Sequence, residues 1–396
     1  MFVFLLCILA VVITGGSIVG SSTFYGVSVI YVILATLFVS YIYLFLTKGK
    51  QLAFGSVEKA FFAFEGWGLL YVILSLLGIF RWPQAGVAID SSFIPRQAVY
   101  LFVLPAAVFL QEDVYMKKVE WLLKKYGEIL FWVLFLSQVL FFHSFVISVL
   151  SQVFLCWLSL QLDTNQRWRR WIRIAALLII PMFEAGQSTI LIIRLLFVVV
   201  CIVPRYWSKI VYYLTAVAIL VAVVGCFFFP IAVEDTVFHD FNMAWRMRTW
   251  KDSVMVLSNT NYMGVGYGTA YQSEEYVQET IERGEWQYRA KDGYSAYERK
   301  FVTAPHNSYI SVAMRTGVIG ILFFLLFLIV LFRNLMKYTS LPSKASCFAL
   351  FAATAMIMFN VGLESPGYLL TFVFCIGVCI RETKKLKVQH CCPAED

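Results

Sequence analysis

Apolar segments of about 20 residues recur along almost the whole chain, and this recurrence restricts the fold more than any other feature. A helix of that length crosses the roughly 30 Å of hydrocarbon in a bilayer, because each residue adds about 1.5 Å. Hydrophobic residues fill 60% of the 396 positions and charged residues only 14%, whereas soluble domains carry about 25% charged residues. We therefore predict an all-α polytopic membrane protein.

The apolar segments predict about twelve membrane-spanning helices, with one long polar connection between the ninth and tenth. Residues 1–232 hold the first nine spans, 233–316 the polar connection, and 317–396 the last three spans and a tail. The predicted spans are 1–15, 24–46, 59–80, 94–111, 126–142, 143–161, 170–184, 187–203, 208–232, 317–333, 344–362 and 366–381.

The distribution of basic residues predicts the orientation. Lysine and arginine collect in alternate connections, for example Lys48, Lys50, Lys117, Lys118, Arg167, Arg169, Arg333 and Lys337. The opposite connections, such as 184–188 (EAGQS) and 363–367 (LESPG), contain none. By the positive-inside rule, both termini lie in the cytoplasm and the 233–316 loop lies outside the membrane. The net charge of +8 thus reflects cytoplasmic loops, and we expect no nucleic-acid partner.

The external loop carries the motifs that could support chemistry. Residues 241–271 read FNMAWRMRTWKDSVMVLSNTNYMGVGYGTAY, where Arg246 and Trp250 recur at helical spacing, which predicts a helix at the membrane surface. The GVGYG segment that follows could be a phosphate loop or a tight turn beside a cleft. No strand precedes it and no G-x-x-x-x-G-K-[ST] pattern is present, so a turn is favoured. Mixed charges further along predict short solvated helices.

A histidine stands where the loop returns to the membrane, in 303–310 (TAPHNSYI). Pro305 precedes His306, and a helix is predicted to continue through Gly317 and Gly320 into an apolar span. On composition alone, His306 could be an interfacial hydrogen-bonding residue or a group that transfers protons near neutral pH. No Cys/His spacing suits zinc, so we expect neither a metal nor a cofactor.

The order of these motifs resembles that of the O-antigen ligase and Wzy-type polymerase superfamily. The matching elements are R-x-x-x-W at Arg246–Trp250, G-V-G-x-G at Gly264–Gly268, P-H-N-x-Y at Pro305–Tyr309, and the glycines Gly317 and Gly320. The resemblance implies a glycosyltransferase C-like membrane fold and metal-independent glycosyl transfer at the outer face of the bacterial cytoplasmic membrane. It also implies a glycan donor on undecaprenyl diphosphate and a glycan acceptor, either lipid-linked or lipid A–core. A chain-length regulator is a further expected partner.

The resemblance also implies roles for individual residues. His306 matches the loop histidine that assists the acceptor hydroxyl, and Arg246 matches the arginine that holds the diphosphate leaving group. Guanidinium suits that task because it stays charged and donates in pairs. We expect Asn307 to position the turn, and we predict that both Asn307 and Tyr309 bind substrate. The partner that would fix the tautomer of His306 is not evident from the sequence.

One family feature is missing. The family's Ser-Arg pair before the loop corresponds here to Gln187, Ser188 and Thr189, so its arginine is absent. Arg194 could replace it from lower down the same helix, or could snorkel or pair with the intramembrane Glu65. Other substrate-binding candidates are Gln187, Ser188 and Arg248, with Arg96 recommended only by position, whereas we interpret Glu364 as structural.

The sequence favours a polymerase but leaves alternatives open. A ligase acting on lipid A–core would use the same donor and the same motifs. A flippase for lipid-linked glycans would show repeats and paired broken helices, which we do not find in the sequence. A relative that glycosylates protein side chains also fits the motifs.

Overall fold

The structure is a computed structural model. It describes residues 55–80, 82–105, 107, 113–140, 145–162, 167–179, 188–204, 207–232, 241–284, 295–337, 343–359, 363–364 and 366–391, with Thr23–Phe24 and Val27–Ser28. The predicted first span, most of the second, and Gln187 lie outside these residues. Two short antiparallel strands, β1 (Thr23–Phe24) and β2 (Val27–Ser28), occupy positions where we had predicted the second span to begin.

The other regular elements of the described chain are helices, joined by turns and irregular segments. The first helices are α1 (Ser56–Leu76), α2 (Ile94–Gln97), α3 (Val99–Val103), α4 (Asp113–Leu140), α5 (Phe145–Gln161), α6 (Arg167–Ile179) and α7 (Ser188–Ile202). They are followed by α8 (Ser208–Ala232), α9 (Phe241–Ser258), α10 (Glu274–Glu282), α11 (Ala296–Val302), α12 (Ser308–Lys337), α13 (Lys344–Phe359) and α14 (Pro366–Cys391). Two 3₁₀ turns, Pro83–Ala85 and Ser91–Phe93, lie between α1 and α2.

Three helices in the described part of the chain are long and apolar enough to cross a membrane, namely Ser56–Leu76, Ser208–Ile231 and Ser308–Lys337. The prediction of an all-α membrane protein is therefore confirmed. The number of twelve spans and the placement of the loop outside the membrane stay predictions. The two short helices α10 and α11 appear where mixed charges predicted them, and Ser295 and Glu298 cap the start of α11 reciprocally.

The predicted continuous span at 94–111 is wrong in its described part. Two short helices, α2 and α3, replace it, with a turn at Ala98 between them. Pro95 allows a helix to begin at Ile94, because its missing N–H is not needed in the first turn. Gln97 then uses its amide on the backbone of a distant segment, donating to Thr269 O (2.9 Å) and Phe301 O (3.1 Å). The irregular chain here therefore supports the polar 233–316 connection through Thr269 and Phe301.

The helix that continues into the tenth predicted span starts where the sequence predicts, but it is broken. Helix α12 starts at Ser308, and Gly317 inside it adopts φ 70° and ψ −175°, which is not helical. The stretch from 318 to 337 gives about 30 Å of helix, which matches the hydrocarbon thickness. It packs along α1 through aromatic contacts, including Phe61 with Phe327 (5.4 Å between ring centroids) and Phe64 with Phe324 (4.9 Å).

The break exposes carbonyl groups that the segment after α9 satisfies. The carbonyls of Met314 and Arg315 accept hydrogen bonds from Val265 N (2.7 Å) and Gly266 N (3.1 Å). In return, Val318 N donates to Tyr262 O (3.0 Å). A helix end normally leaves such carbonyls without an intrahelical partner, so another part of the chain must supply the donors. Here the glycine-rich segment does so.

Two glycines permit this close crossing of backbones. A Cβ atom at Gly317 would lie 2.5 Å from Met263 O, and one at Gly264 would lie 2.5 Å from Gly317 N. Both residues also have positive φ, 70° and 86°, a region that residues with a side chain rarely adopt. The GVGYG segment is therefore a tight turn, as predicted, and its role is to cap a broken helix.

Candidate functional site

His306 lies in a short turn that joins α11 to α12 and is held from both sides. Trp250 on α9 donates from Nε1 to Pro305 O at 2.5 Å. Asn307 caps α12, because its Oδ1 accepts from Tyr309 N (3.0 Å) and Ile310 N (3.2 Å). His306 itself adopts a left-handed φ of 52°, which is uncommon outside glycine. The expected role of Asn307 in positioning the turn agrees with this geometry.

The imidazole of His306 packs against α9. Its ring meets Trp245 edge to face, with 5.0 Å between ring centroids. The residue as a whole is partly exposed, whereas Nδ1 is buried and has no hydrogen-bond partner among the described residues. Burial, together with the nearby Arg246 guanidinium, lowers the pKa of His306 to about 4. The imidazole is therefore neutral near pH 7.

Arg246 brings a permanent positive charge to the same place. It follows Trp245 on α9 and is half-buried, close enough to His306 to act on its titration. Its charge also opposes the rise that burial causes in the pKa of Tyr368, in the first turn of α14. The structure therefore brings together the two residues that we predicted as catalytic, between α9, the start of α12 and the start of α14.

The carboxylate of Glu364, which the sequence analysis interprets as structural, is bonded to the first turn of α12. Glu364 lies in the connection between α13 and α14, and its Oε2 accepts from Ser308 Oγ at 2.9 Å. The same hydroxyl accepts from Leu363 N at 3.0 Å, so Ser308 ties the connection to the first turn of α12. Burial raises the pKa of Glu364, although hydrogen bonds from Ser311 and Ser308 and the charge of Arg315 oppose the shift.

Arg315 was not among the predicted site residues. It is 1% exposed, one turn beyond Ser311 on α12, and its Nη1 donates to Gly266 O (3.1 Å) and to both oxygens of Thr269. Its guanidinium carbon lies 4.0 Å from the ring centroid of Tyr271, a cation–π contact. The available signal was a lone arginine at helical spacing after Ser308 and Ser311, but spacing alone does not show what such a residue faces.

The remaining predicted residues lie in other places. Arg194 is buried on α7, donates from Nε to Gln152 Oε1 on α5 (3.4 Å) and lies near Cys156. It does not pair with Glu65, whose two carboxylate oxygens are buried without hydrogen-bond partners in the described part of the chain. Ser188 is the first residue of α7. None of these contacts joins Arg194 to His306.

Arg248 faces away from His306. Helical spacing places it on the side of α9 opposite Arg246 and Trp250. There it lines a polar pocket of about 300 Å³ between the end of α8, α9 and α10, together with Pro230, Met247, Lys251, Asp252, Met255, Ser273, Glu275, Tyr276, Glu279 and Arg283. The charge of Arg96, on α2, instead opposes the rise that burial causes in the pKa of the Tyr271 hydroxyl, which lies beside Arg315.

Tyr309 points from the site into the helix bundle. Its hydroxyl donates to Thr354 O on α13 at 3.2 Å, and its side chain is 1% exposed. It lines one end of an apolar cavity of about 420 Å³ between α8, α12 and α13, and Arg333 lines that cavity too. The cavity thus begins within one helical turn of His306 and follows α12 through the membrane-crossing part.

Comparison with known proteins gives one result. Residues 121–325 match the sequence model of a family described as O-antigen ligase. The match covers more than half of the chain and contains Arg246, the glycine-rich segment, His306 and the break at Gly317. No significant match was found among curated proteins or solved structures.

Proposed function

Because the chain belongs to the O-antigen ligase family, we propose that it is a membrane glycosyltransferase of the O-antigen polymerase type. Membership indicates a function of the ligase or polymerase class, with lipid-linked glycans as substrates. In our proposal the donor glycan is carried on undecaprenyl diphosphate, the acceptor is the hydroxyl of a second lipid-linked glycan, and transfer takes place at the outer face of the cytoplasmic membrane without a metal.

The observation that carries the proposal is the juxtaposition of Arg246 and the neutral His306. Departure of a lipid diphosphate leaves negative charge on the leaving oxygen, and a guanidinium can meet it with two charge-assisted hydrogen bonds. The acceptor hydroxyl needs a hydrogen-bond acceptor beside that site, and the neutral imidazole of His306 can provide one. Trp245, the residue before Arg246, packs edge to face against the imidazole ring and so keeps it beside α9.

The apolar cavity supports a lipid-linked donor. It starts beside Tyr309, in the first turn of α12, and its lining is almost entirely aliphatic and aromatic. An isoprenoid chain entering from the bilayer would find apolar surface there, while its diphosphate would remain at the level of Arg246. We assign Arg246 to the leaving group, His306 and Asn307 to the acceptor side, and Tyr309 to the junction between headgroup and chain.

The test uses a strain that lacks the chromosomal copy and carries plasmid variants. His306→Ala should insert normally into the membrane fraction yet produce no polymer on gels of surface glycan. His390→Ala, near the end of α14, is the matched control and should give a wild-type ladder. Normal polymer length and yield from His306→Ala would refute the catalytic assignment.

The family description favours one alternative, a ligase that joins the glycan to lipid A–core. The same deletion strain separates the two functions, since they consume the same donor but differ in acceptor. Loss of a polymerase leaves a single repeat attached to core. Loss of a ligase leaves long polymer that accumulates on its lipid carrier and never reaches core.

A further inference from the structure

The polar pocket that Arg248 lines is a concave site that the proposed transfer step does not use. Its walls come from the end of α8, from α9 and from α10, and its volume is about 300 Å³. Pockets for small molecules measure about 300–1,000 Å³, so this one is large enough for a single small unit and too small for an extended ligand. Its lining therefore decides which kind of unit it can hold.

The charged side chains of this pocket balance one another. Burial raises the pKa of Asp252 only to about 6, so this carboxylate is still mostly ionised near pH 7. Both of its oxygens are engaged by Ser273, which donates from its backbone N (2.9 Å) and from Oγ (2.6 Å). The described residues contain no group of three side chains suited to a metal ion. Three cations face three carboxylates, so the pocket has no net charge to attract a phosphate: Arg248, Lys251, Arg283, Asp252, Glu275 and Glu279.

The inner wall of the pocket is less polar than its rim. Tyr276 is buried there, and its hydroxyl lies 2.9 Å from Thr249 Oγ1, so the hydroxyl is engaged within the protein and the ring remains to line the pocket. Pro230, Met247 and Met255 add further apolar surface. A sugar ring matches this combination, because its faces carry C–H groups and its edge carries hydroxyls. Guanidinium groups donate to such hydroxyls and carboxylates accept from them.

We propose that this pocket binds one uncharged sugar unit of the glycan, at a position away from the reacting bond. This inference rests on the proposed glycosyl transfer. Arg248 lies about 200° around α9 from Arg246, and a helix with its side chains is about 10–12 Å wide. Because α9 separates the pocket from Arg246, the sugar that it holds lies further along the glycan than the reacting one. Binding there keeps the glycan on the enzyme between successive transfers.

The first measurement is binding to purified full-length protein in detergent by calorimetry. The probe is polysaccharide released by mild acid from the wild-type strain. The double variant Lys251→Ala, Glu275→Ala removes two exposed pocket residues of opposite charge, so the net charge of the protein is unchanged. Its Kd should rise about 10- to 100-fold, the loss expected for hydrogen bonds to charged groups. Glu282→Ala is the matched control, because Glu282 is exposed on the same helix but bonds to Gln278 Nε2 (2.8 Å), and it should keep the wild-type Kd.

The second measurement is polymer length in the deletion strain. The double variant should still produce polymer, but its ladder should shift to shorter lengths, whereas His306→Ala should produce none. An unchanged Kd or an unchanged ladder would overturn the inference. So would binding of inorganic pyrophosphate that the double variant loses, since this result would assign the pocket to a phosphate group. A deletion strain that keeps its normal surface glycan would instead refute the proposed function itself.

Discussion

The interruption of α12 makes Gly317→Ala the most informative single substitution for the fold. The added Cβ would meet only backbone atoms, at 2.5 Å from Met263 O, 2.7 Å from Met263 C and 2.8 Å from Tyr262 O. No side chain can rotate away to relieve these contacts. In addition, φ 70° with ψ −175° lies in a region that is essentially restricted to glycine.

The two effects set the expected magnitude. Strain at such a dihedral pair costs about 1–3 kcal/mol, and overpacking of a filled site adds about 1–3 kcal/mol. Gly317→Ala should therefore reduce the free energy of unfolding by roughly 2–6 kcal/mol. Thermal unfolding of the purified protein in one detergent should show a melting temperature lower by several degrees.

The control is Gly225→Ala in α8, where a Cβ would meet nothing within 4 Å. Replacing a glycine inside a helix by alanine stabilises by about 0.5–1 kcal/mol, so this variant should melt at or slightly above the wild-type temperature. Equal melting temperatures for Gly317→Ala and wild type would show that α12 is not broken at this residue, and the account of the glycine-rich cap would fail with it.

Three further outcomes are expected. Arg246→Gln should reduce glycosyl transfer, measured as polymer yield, about 10²- to 10³-fold, because it removes the positive charge beside the leaving group. Arg246→Lys keeps the charge but not the paired donors, so its polymer yield should fall between that of Arg246→Gln and wild type. Asn307→Ala should cost about 0.5–2 kcal/mol of stability, whereas Asn307→Ser keeps a capping oxygen and should melt close to wild type. Burial raises the pKa of Asp252 to about 6. The protonated carboxyl therefore stabilises the folded state below about pH 4, and this stabilisation is lost as the pH rises through 6. Asp252→Asn should flatten that part of a plot of melting temperature against pH.

Local signals predicted the parts of the site that depend on local structure. The helix from Phe241 to Ser258 followed from the spacing of Arg246, Trp250 and their neighbours, and the helix start next to His306 followed from Pro305. These features need only a few adjacent residues to agree. The membrane character was equally accessible, because it depends on composition summed over windows of about 20 residues.

The cluster around Glu364 and Arg315 depends instead on contacts between distant segments. Nothing near Arg315 in the sequence indicates that it will meet Thr269 and Tyr271, because that contact exists only once two backbones cross at Gly264 and Gly317. The glycines were recognised as turn formers, yet a turn could have served many purposes. Hydropathy likewise predicted a continuous span at 94–111, because it carries no information about the hydrogen bonds that Gln97 makes with Gly268 and Thr269.

The broken helix also explains how three separate segments around the candidate site can keep one geometry. Arg246 lies on α9, His306 precedes α12 and Glu364 follows α13, and the short piece of α12 before Gly317 contacts or adjoins all three segments. Ser308 holds Glu364 at one end, and the carbonyls of Met314 and Arg315 hold the chain that continues from α9 at the other. In a straight helix those carbonyls would bond within α12, and the segment after α9 would lose its attachment. Substitution at Gly317 should therefore lower kcat as well as stability, although this residue lies two turns from the nearest group assigned to the substrate.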